Sequence, residues 1–256
     1  VSAAAFASVD VASDWFDVRR VEPGIFAINQ PRQAQEAIAY LVVGSTRALL
    51  FDTGIGLVPV RPIVERLTTL PVTVINSHSH FDHVGGNAEF SDVWGTETAF
   101  TRDHETGRPH ADLASEVASD AFCNGPPSGV DTAAFRSRAW RTTHRFRDGE
   151  RVDIGGRVLE LLHVPGHTPD AVALLDRAHG LLWTGDSYYD ATIWLFSPGI
   201  DLDAYERSLT RLVALAPSLR RLLPAHNTIS EPPARLLETL DAFRALRKGQ
   251  GVRVRE

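Results

Sequence analysis

Residues 76–86, Asn-Ser-His-Ser-His-Phe-Asp-His-Val-Gly-Gly, carry three imidazoles and a carboxylate within six positions, His78 to His83. On extended backbone, side chains two apart point to the same side. His78, His80 and Asp82 can therefore converge on one small volume, and a bend after Asp82 would bring His83 in from the flank. Imidazole and carboxylate are preferred ligands of zinc and its neighbours. Burying four such groups together without a cation would be costly, so the run predicts a metal site. Gly85 and Gly86 remove side chains where backbone has to pass close to it.

Three more donors stand in turns marked by Gly or Pro: His167 in Pro165-Gly-His-Thr168, Asp186 in Thr184-Gly-Asp186, and His226 in Pro224-Ala-His226. Singly, each is an ordinary turn residue; their weight lies in combination and order. Asp52, in Asp52-Thr-Gly54, adds a carboxylate at the end of an apolar run.

The elements that must position these donors are legible as periodic apolar segments. Strands are predicted over 24–28, 37–43, 47–51, 71–76, 151–154, 157–164, 171–175, 181–184 and 219–223. Every donor group then follows a strand end, where α/β proteins keep their chemistry. A helix is predicted after Pro59, with Ile63, Val64, Leu67 and Leu70 on one face. Others are expected over 96–103, 111–122 and 203–216, the last opened by an Asp203/Glu206 capping box. A final helix is expected to be capped by Ser230, with Leu236, Leu237, Leu240 and Phe243 facing inward. Two strand-rich halves, each carrying helices, imply an α+β, four-layer αββα sandwich. The reading is one domain over 1–256, with an N-terminal extension at 1–15 and an insertion at 96–148 that could act as a lid. Within the insertion, Arg136, Arg138, Arg141, Arg145 and Arg147 form either a solvated basic face or a clamp for a substrate carboxylate or phosphate.

A formal net charge of −6 gives no reason to expect a nucleic-acid partner. No apolar run is long enough to span a bilayer, and a single cysteine, Cys123, excludes an intrachain disulfide framework. Val1–Ser8 has the small residues of a leader's tail without a basic start. The reading favours the cytoplasm, with secretion or a periplasmic location after leader removal as the alternative. Oligomeric state is not readable.

In this order the motifs resemble the metallo-β-lactamase superfamily across nearly the whole chain. The resemblance implies that His78, His80 and His167 hold one metal and that Asp82, His83 and His226 hold a second, with Asp186 bridging. It makes Asp52 an outer anchor that orients the histidines. The cofactor it implies is two zinc ions per chain, with iron or manganese as other divalent choices. The true β-lactamases carry Cys or Ser where this chain has Asp186; an aspartate there is similar to the glyoxalase II and lactonase branches. Quorum-quenching lactonases have a tyrosine three residues beyond that aspartate, and Tyr189 stands three beyond Asp186. Asp170 departs from the Gly that many relatives carry, which puts substrate choice, rather than metal binding, in question.

Two ions sharing an oxygen can bring a water's pKa from about 15.7 towards roughly 7. The expected function is therefore a dinuclear-zinc hydrolase in which a bridging hydroxide attacks the carbonyl of an ester, lactone or thioester. Asp82 would shuttle the proton, Tyr189 would help stabilise the oxyanion, and Tyr188, Trp194 and Phe196 would wall the pocket for a small-molecule substrate. The alternatives are a mononuclear-iron oxygenase of the persulfide dioxygenase type, a β-lactam hydrolase, and a non-catalytic binding module. Of the remaining histidines, His163 is assigned an outer or structural role, and His104, His110, His144 and His179 are expected at the surface.

Overall fold

Strands whose two faces are both apolar need a covering layer on each side, and that requirement organises this chain. The computed structural model describes residues 6–196 and 199–251; positions 1–5 of the leader-like stretch lie outside the described residues. The first sheet runs in sequence order: β1 (Ala7–Ser8), β2 (Asp17–Glu22), β3 (Ile25–Asn29), β4 (Ile38–Val43), β5 (Ala48–Phe51), β6 (Val72–Ile75), β7 (Val93–Gly95) and β8 (His144–Arg145). The second comprises β9 (Arg151–Asp153), β10 (Val158–His163), β11 (Val172–Asp176), β12 (Leu181–Gly185) and β13 (Arg221–Pro224), in the order β13-β12-β11-β10-β9. The helices are α1 (Arg61–Leu67), α2 (Phe81–Val84), α3 (Ala99–His104), α4 (His110–Leu113), α5 (Leu202–Leu215) and α6 (Ala234–Arg247).

Alternation assigns each strand's residues to layers. On β5, Leu49 and Phe51 join the cluster between the sheets with Leu159, Leu161, Leu174 and Trp183. Ala48 and Leu50 turn the other way, onto Ile63 and Val64 of α1. On the far side, Ala173, Leu175 and Leu182 meet Tyr205, Leu209, Leu212, Leu236, Leu240 and Phe243 of α5 and α6. Three separate apolar interlayers make four layers, the αββα sandwich that the pattern predicted.

β5, β6 and β7 run parallel, as do β12 and β13. β10 is antiparallel to β11, and β11 to β12, so β10 shares the direction of β12. The C-terminal ends of β10, β12 and β13 therefore share one edge of the second sheet, and those of β5 and β6 share one edge of the first. His167, Asp186, His226, Asp52 and the 76–86 run all issue from these ends.

Several expectations need correction. The cap of α5 is Asp201, whose Oδ1 accepts from the amides of Asp203 (3.0 Å) and Ala204 (2.8 Å). Glu206 pairs instead with Arg244 at 2.7 Å. α6 starts after Pro233 with no side-chain cap, so Ser230 does not cap it, and Leu237 is 50% exposed. The stretch 111–122 is not one helix but α4 followed by 3-10 turns at Ser115–Val117 and Ser119–Ala121. Residues 17–22, not read as a strand, form β2. Within the insertion, Arg145 is held by Glu97 and Glu105, both at 2.9 Å. Arg136, Arg138, Arg141 and Arg147 are exposed and none of them lines the cavity described below, which fits the solvated face. Among the described residues no helix is long and apolar enough to cross a membrane.

Candidate metal centre

The turn after β5 carries Asp52 in the left-handed region (φ 66°), a conformation that Asp tolerates better than most residues. From there its Oδ1 accepts the Ser77 amide at 2.6 Å and its Oδ2 meets His83 Nδ1 at 3.0 Å. The 76–86 run is not extended throughout. His80 ends the extended part and α2 begins at Phe81, so a helical turn, not a bend after Asp82, presents Asp82 and His83. That turn is pinned where the His83 carbonyl accepts from Thr53 N and Asn76 Nδ2, both at 2.8 Å. A Cβ on Gly85 would lie 2.0 Å from the Ile55 carbonyl oxygen, so only glycine lets the two turns pass.

The donors meet in two trios. His78 Nε2, His80 Nδ1 and His167 Nε2 lie 2.9, 3.1 and 3.2 Å apart. His83 Nε2 lies 3.2 Å from both Asp82 Oδ2 and His226 Nε2, and the latter two are 3.6 Å apart. Asp186 stands between, with Oδ2 3.5 Å from His167 Nε2, and Oδ1 3.2 Å from His226 Nε2 and 3.5 Å from His83 Nε2. A tetrahedral ion bonded to nitrogen at about 2.0–2.1 Å separates its ligand atoms by about 3.3 Å, close to these spacings. His78, His80 and His167, and likewise Asp82, His83 and His226, can each hold a metal ion.

Two observations test the fit. Asp186 Oδ1 is fully buried with no well-formed hydrogen bond, and the nitrogens nearest it are His226 Nε2 and His83 Nε2, a setting that a cation, whether a metal ion or a protonated imidazole, would satisfy. The outer ring nitrogens are also committed. His167 Nδ1 faces the Trp194 carbonyl (2.9 Å) and His226 Nδ1 the Gln35 carbonyl (2.6 Å). Carbonyls only accept, so those nitrogens carry the hydrogen, and in the neutral ring each Nε2 keeps a lone pair aimed inward. His83, on Asp52, is oriented in the same way, as expected. The carbonyls of Gln35 and Trp194 escaped the sequence reading because a backbone group leaves no trace in residue type.

Electrostatics divides the trios. Burial, reinforced by His167, holds His80 down to about 3, and burial followed by His83 lowers His78, so both present neutral imidazoles. Burial opposes ionisation of Asp82, yet His83 and His226 draw it to about 2. Burial also opposes charge on His83 and His226, but the surrounding carboxylates outweigh it and raise both. The second trio is thus a place that favours positive charge.

A cavity of about 510 Å³ opens onto both trios, lined also by Gln35, Phe81, Glu116, Tyr189, Thr192 and Trp194. Phe196, 64% exposed, packs against Trp194 with ring centroids 3.8 Å apart and tilted by 41°, without lining the cavity. Tyr188, expected in the wall, lies instead in the cluster beneath α5 and α6 and is 4% exposed. The Tyr189 ring lines the cavity, but its hydroxyl donates to Thr192 O (3.0 Å) and accepts from Trp194 N (2.9 Å). Its hydrogen is therefore engaged with the loop. His104 is not a surface residue: its side chain is 12% exposed and packs on Phe100, 6.3 Å from the His80 ring. His163 bonds the Pro169 carbonyl at 2.8 Å, a structural role.

The family model described as the metallo-beta-lactamase superfamily matches residues 37–247. The chain belongs to the metallo-β-lactamase superfamily. Within that superfamily it is 28% identical over 231 residues to "Acyl-coenzyme A thioesterase MBLAC2" of Gallus gallus, covering 84% of this chain and 82% of that protein. Its fold is similar to the metallo-beta-lactamase from Pontibacter korlensis (TM-score 0.65, 19% identity, 90% of this chain and 99% of that one). It is also similar to the sec-alkylsulfatase Pisa1 from Pseudomonas sp. (TM-score 0.69, 18% identity, 91% of this chain and 42% of that one). At such identities the structural likenesses speak for the superfamily fold alone.

Proposed function

We propose that this chain is a dinuclear-zinc hydrolase of carbonyl esters, with acyl thioesters its preferred class and oxygen esters and lactones the neighbouring ones. One observation carries the reading: the two oxygens of Asp186 face different trios, as a carboxylate shared by two ions would. The thioester preference rests on the name of the relative that covers most of the chain.

His78, His80 and His167, and Asp82, His83 and His226, would hold the two ions, which would supply the Lewis acidity that makes water a nucleophile near neutral pH and polarises a carbonyl. The chain's residues do the rest. Asp82 lines the cavity and is held ionised, so its carboxylate can take the water's proton and return it to the leaving atom. Trp194 and the Tyr189 ring give the acyl arm an apolar wall. No Lys or Arg is among the described residues lining the cavity, so an anionic tail finds no partner there.

Zinc-loaded protein assayed on matched acyl thioesters, oxygen esters, lactones, a β-lactam and an alkyl sulfate tests the proposal. Turnover of thioesters above the other classes is expected. Absence of turnover on all carbonyl substrates at full zinc occupancy would contradict it. Oxygen uptake by protein holding one iron per chain would replace hydrolysis with oxygenation.

A further inference from the structure

Asp170 stands three residues beyond His167 and is 3% exposed, yet it lines no part of the cavity above the trios. The expectation that it bears on substrate choice therefore finds no contact to act through. Three hydroxyls hold it: Oδ2 accepts from Ser79 Oγ (2.5 Å) and Thr101 Oγ1 (3.0 Å), and Oδ1 accepts from Thr168 Oγ1 (2.7 Å). A buried carboxylate is expensive unless its hydrogen bonds and surroundings repay the desolvation.

The origin of the three donors is informative. Ser79 lies between His78 and His80, and Thr168 follows His167, so two donors flank all three members of the first trio. Thr101 belongs to α3, and its neighbour Phe100 places its ring 5.6 Å from that of His80. One carboxylate thus ties together three segments distant in sequence, two of which carry the first trio. The trios also differ in charge. The second contains Asp82, whereas the first is three imidazoles with no carboxylate of its own beyond the shared Asp186. A carboxylate bonded to Ser79, between His78 and His80, lies close enough to that trio to favour a cation there.

We propose that Asp170 is a positioning residue for the first metal site: it registers the His78–His80 and His167 segments against α3 and supplies the charge that the trio lacks. The proposal rests on the metal reading of the centre. None of the hydrogen bonds of Asp170 reaches the second trio, so its effect is greatest at the first.

Single-site backgrounds separate the two ions. In His226→Ala the first trio is intact, and in His80→Ala the second is. Zinc affinity of metal-stripped protein is measured in each background, with and without Asp170→Asn, by competition with a chromophoric chelator, and the thermal midpoint of the stripped protein is followed in parallel. Loss of an outer partner of a metal ligand typically costs 10–100-fold in affinity; Asp170 acts one bond further out, so about tenfold is expected at the first trio. The second should stay within about twofold. Ser79→Ala, which removes one hydroxyl and keeps the carboxylate, should give a smaller loss at the same trio, and it stands in if Asp170→Asn does not fold. Equal affinities with and without Asp170→Asn, or equal losses at both trios with a lowered midpoint in the stripped protein, would overturn the proposal. Zinc binding at neither trio in the parent variants would sink the metal reading itself.

Discussion

Asp52 grips the metal run at two points: Oδ1 accepts the Ser77 amide at 2.6 Å while Oδ2 meets His83 Nδ1 at 3.0 Å. Both partners are buried, and the aspartate sits in a left-handed turn that aims the carboxylate back at the strand next to its own. An amide at this position would present N–H groups where an acceptor is needed, and His83 would be free to adopt its other tautomer. Asp52→Asn should therefore weaken zinc binding at the second trio by about 10- to 100-fold. Chelator competition checks this, and undiminished affinity would show that His83 is oriented by other contacts.

The donors were legible because each is a short run of unusual residue types following an apolar strand, a pattern that needs no tertiary information. The layers were legible for a related reason: strands such as β5 and β11 are apolar on both faces, so both must be covered. What escaped was set by register and backbone. Tyr188 and Tyr189 are adjacent and chemically alike, and only the local twist after β12 sends one into the core and the other to the cavity. Asp201 and Asp203 are chemically alike, and it is Asp201 that enters the helix from extended backbone and so caps it. β7 and β8 are too short to show a period.

The Tyr189 hydroxyl bridges Thr192 O and Trp194 N, and the Trp194 carbonyl in turn holds His167. Tyr189→Phe should loosen this loop without removing a proton donor from the reaction. KM is expected to rise about three- to tenfold, with kcat within about threefold, the pattern of lost binding shared by ground and transition states. A hundredfold fall in kcat at constant KM would restore the phenol as an oxyanion donor.

Glu116 lines the cavity and is bonded through Oε2 to Gln35 Nε2 at 3.0 Å. With no Lys or Arg in the described lining, an acyl arm ending in carboxylate meets a like charge. Among matched thioesters, the carboxylate-terminated one should show kcat/KM about tenfold below the methyl-terminated one, and Glu116→Gln should remove most of that gap. An unchanged ratio would mean that the acyl arm does not lie beside Glu116.

Asp148 accepts from the His163 amide and from Arg211 Nη1, both at 2.8 Å, linking the β8–β9 connection to β10 and α5. Burial opposes its ionisation, but the Arg211 bond and the His163 amide prevail and hold its pKa below the ordinary 3.8. A depressed carboxyl pKa stabilises the fold above the unfolded value and loses that contribution as pH falls through the folded one. Half of the side chain is exposed, so the contribution is less than about 1 kcal/mol. In denaturant titrations of metal-stripped protein, Asp148→Asn should be the less stable form at pH 7, and the gap should close below about pH 4. A gap constant down to pH 2.5 would assign the loss to packing.

The bridging position of Asp186 is the claim on which the functional reading turns. Elemental analysis of zinc-reconstituted, exhaustively dialysed protein tests it most directly, alongside Asp186→Ala prepared in the same way. Two zinc ions per chain are expected in the parent and one or fewer in the variant. A single ion in the parent, or two in both, would contradict the shared carboxylate.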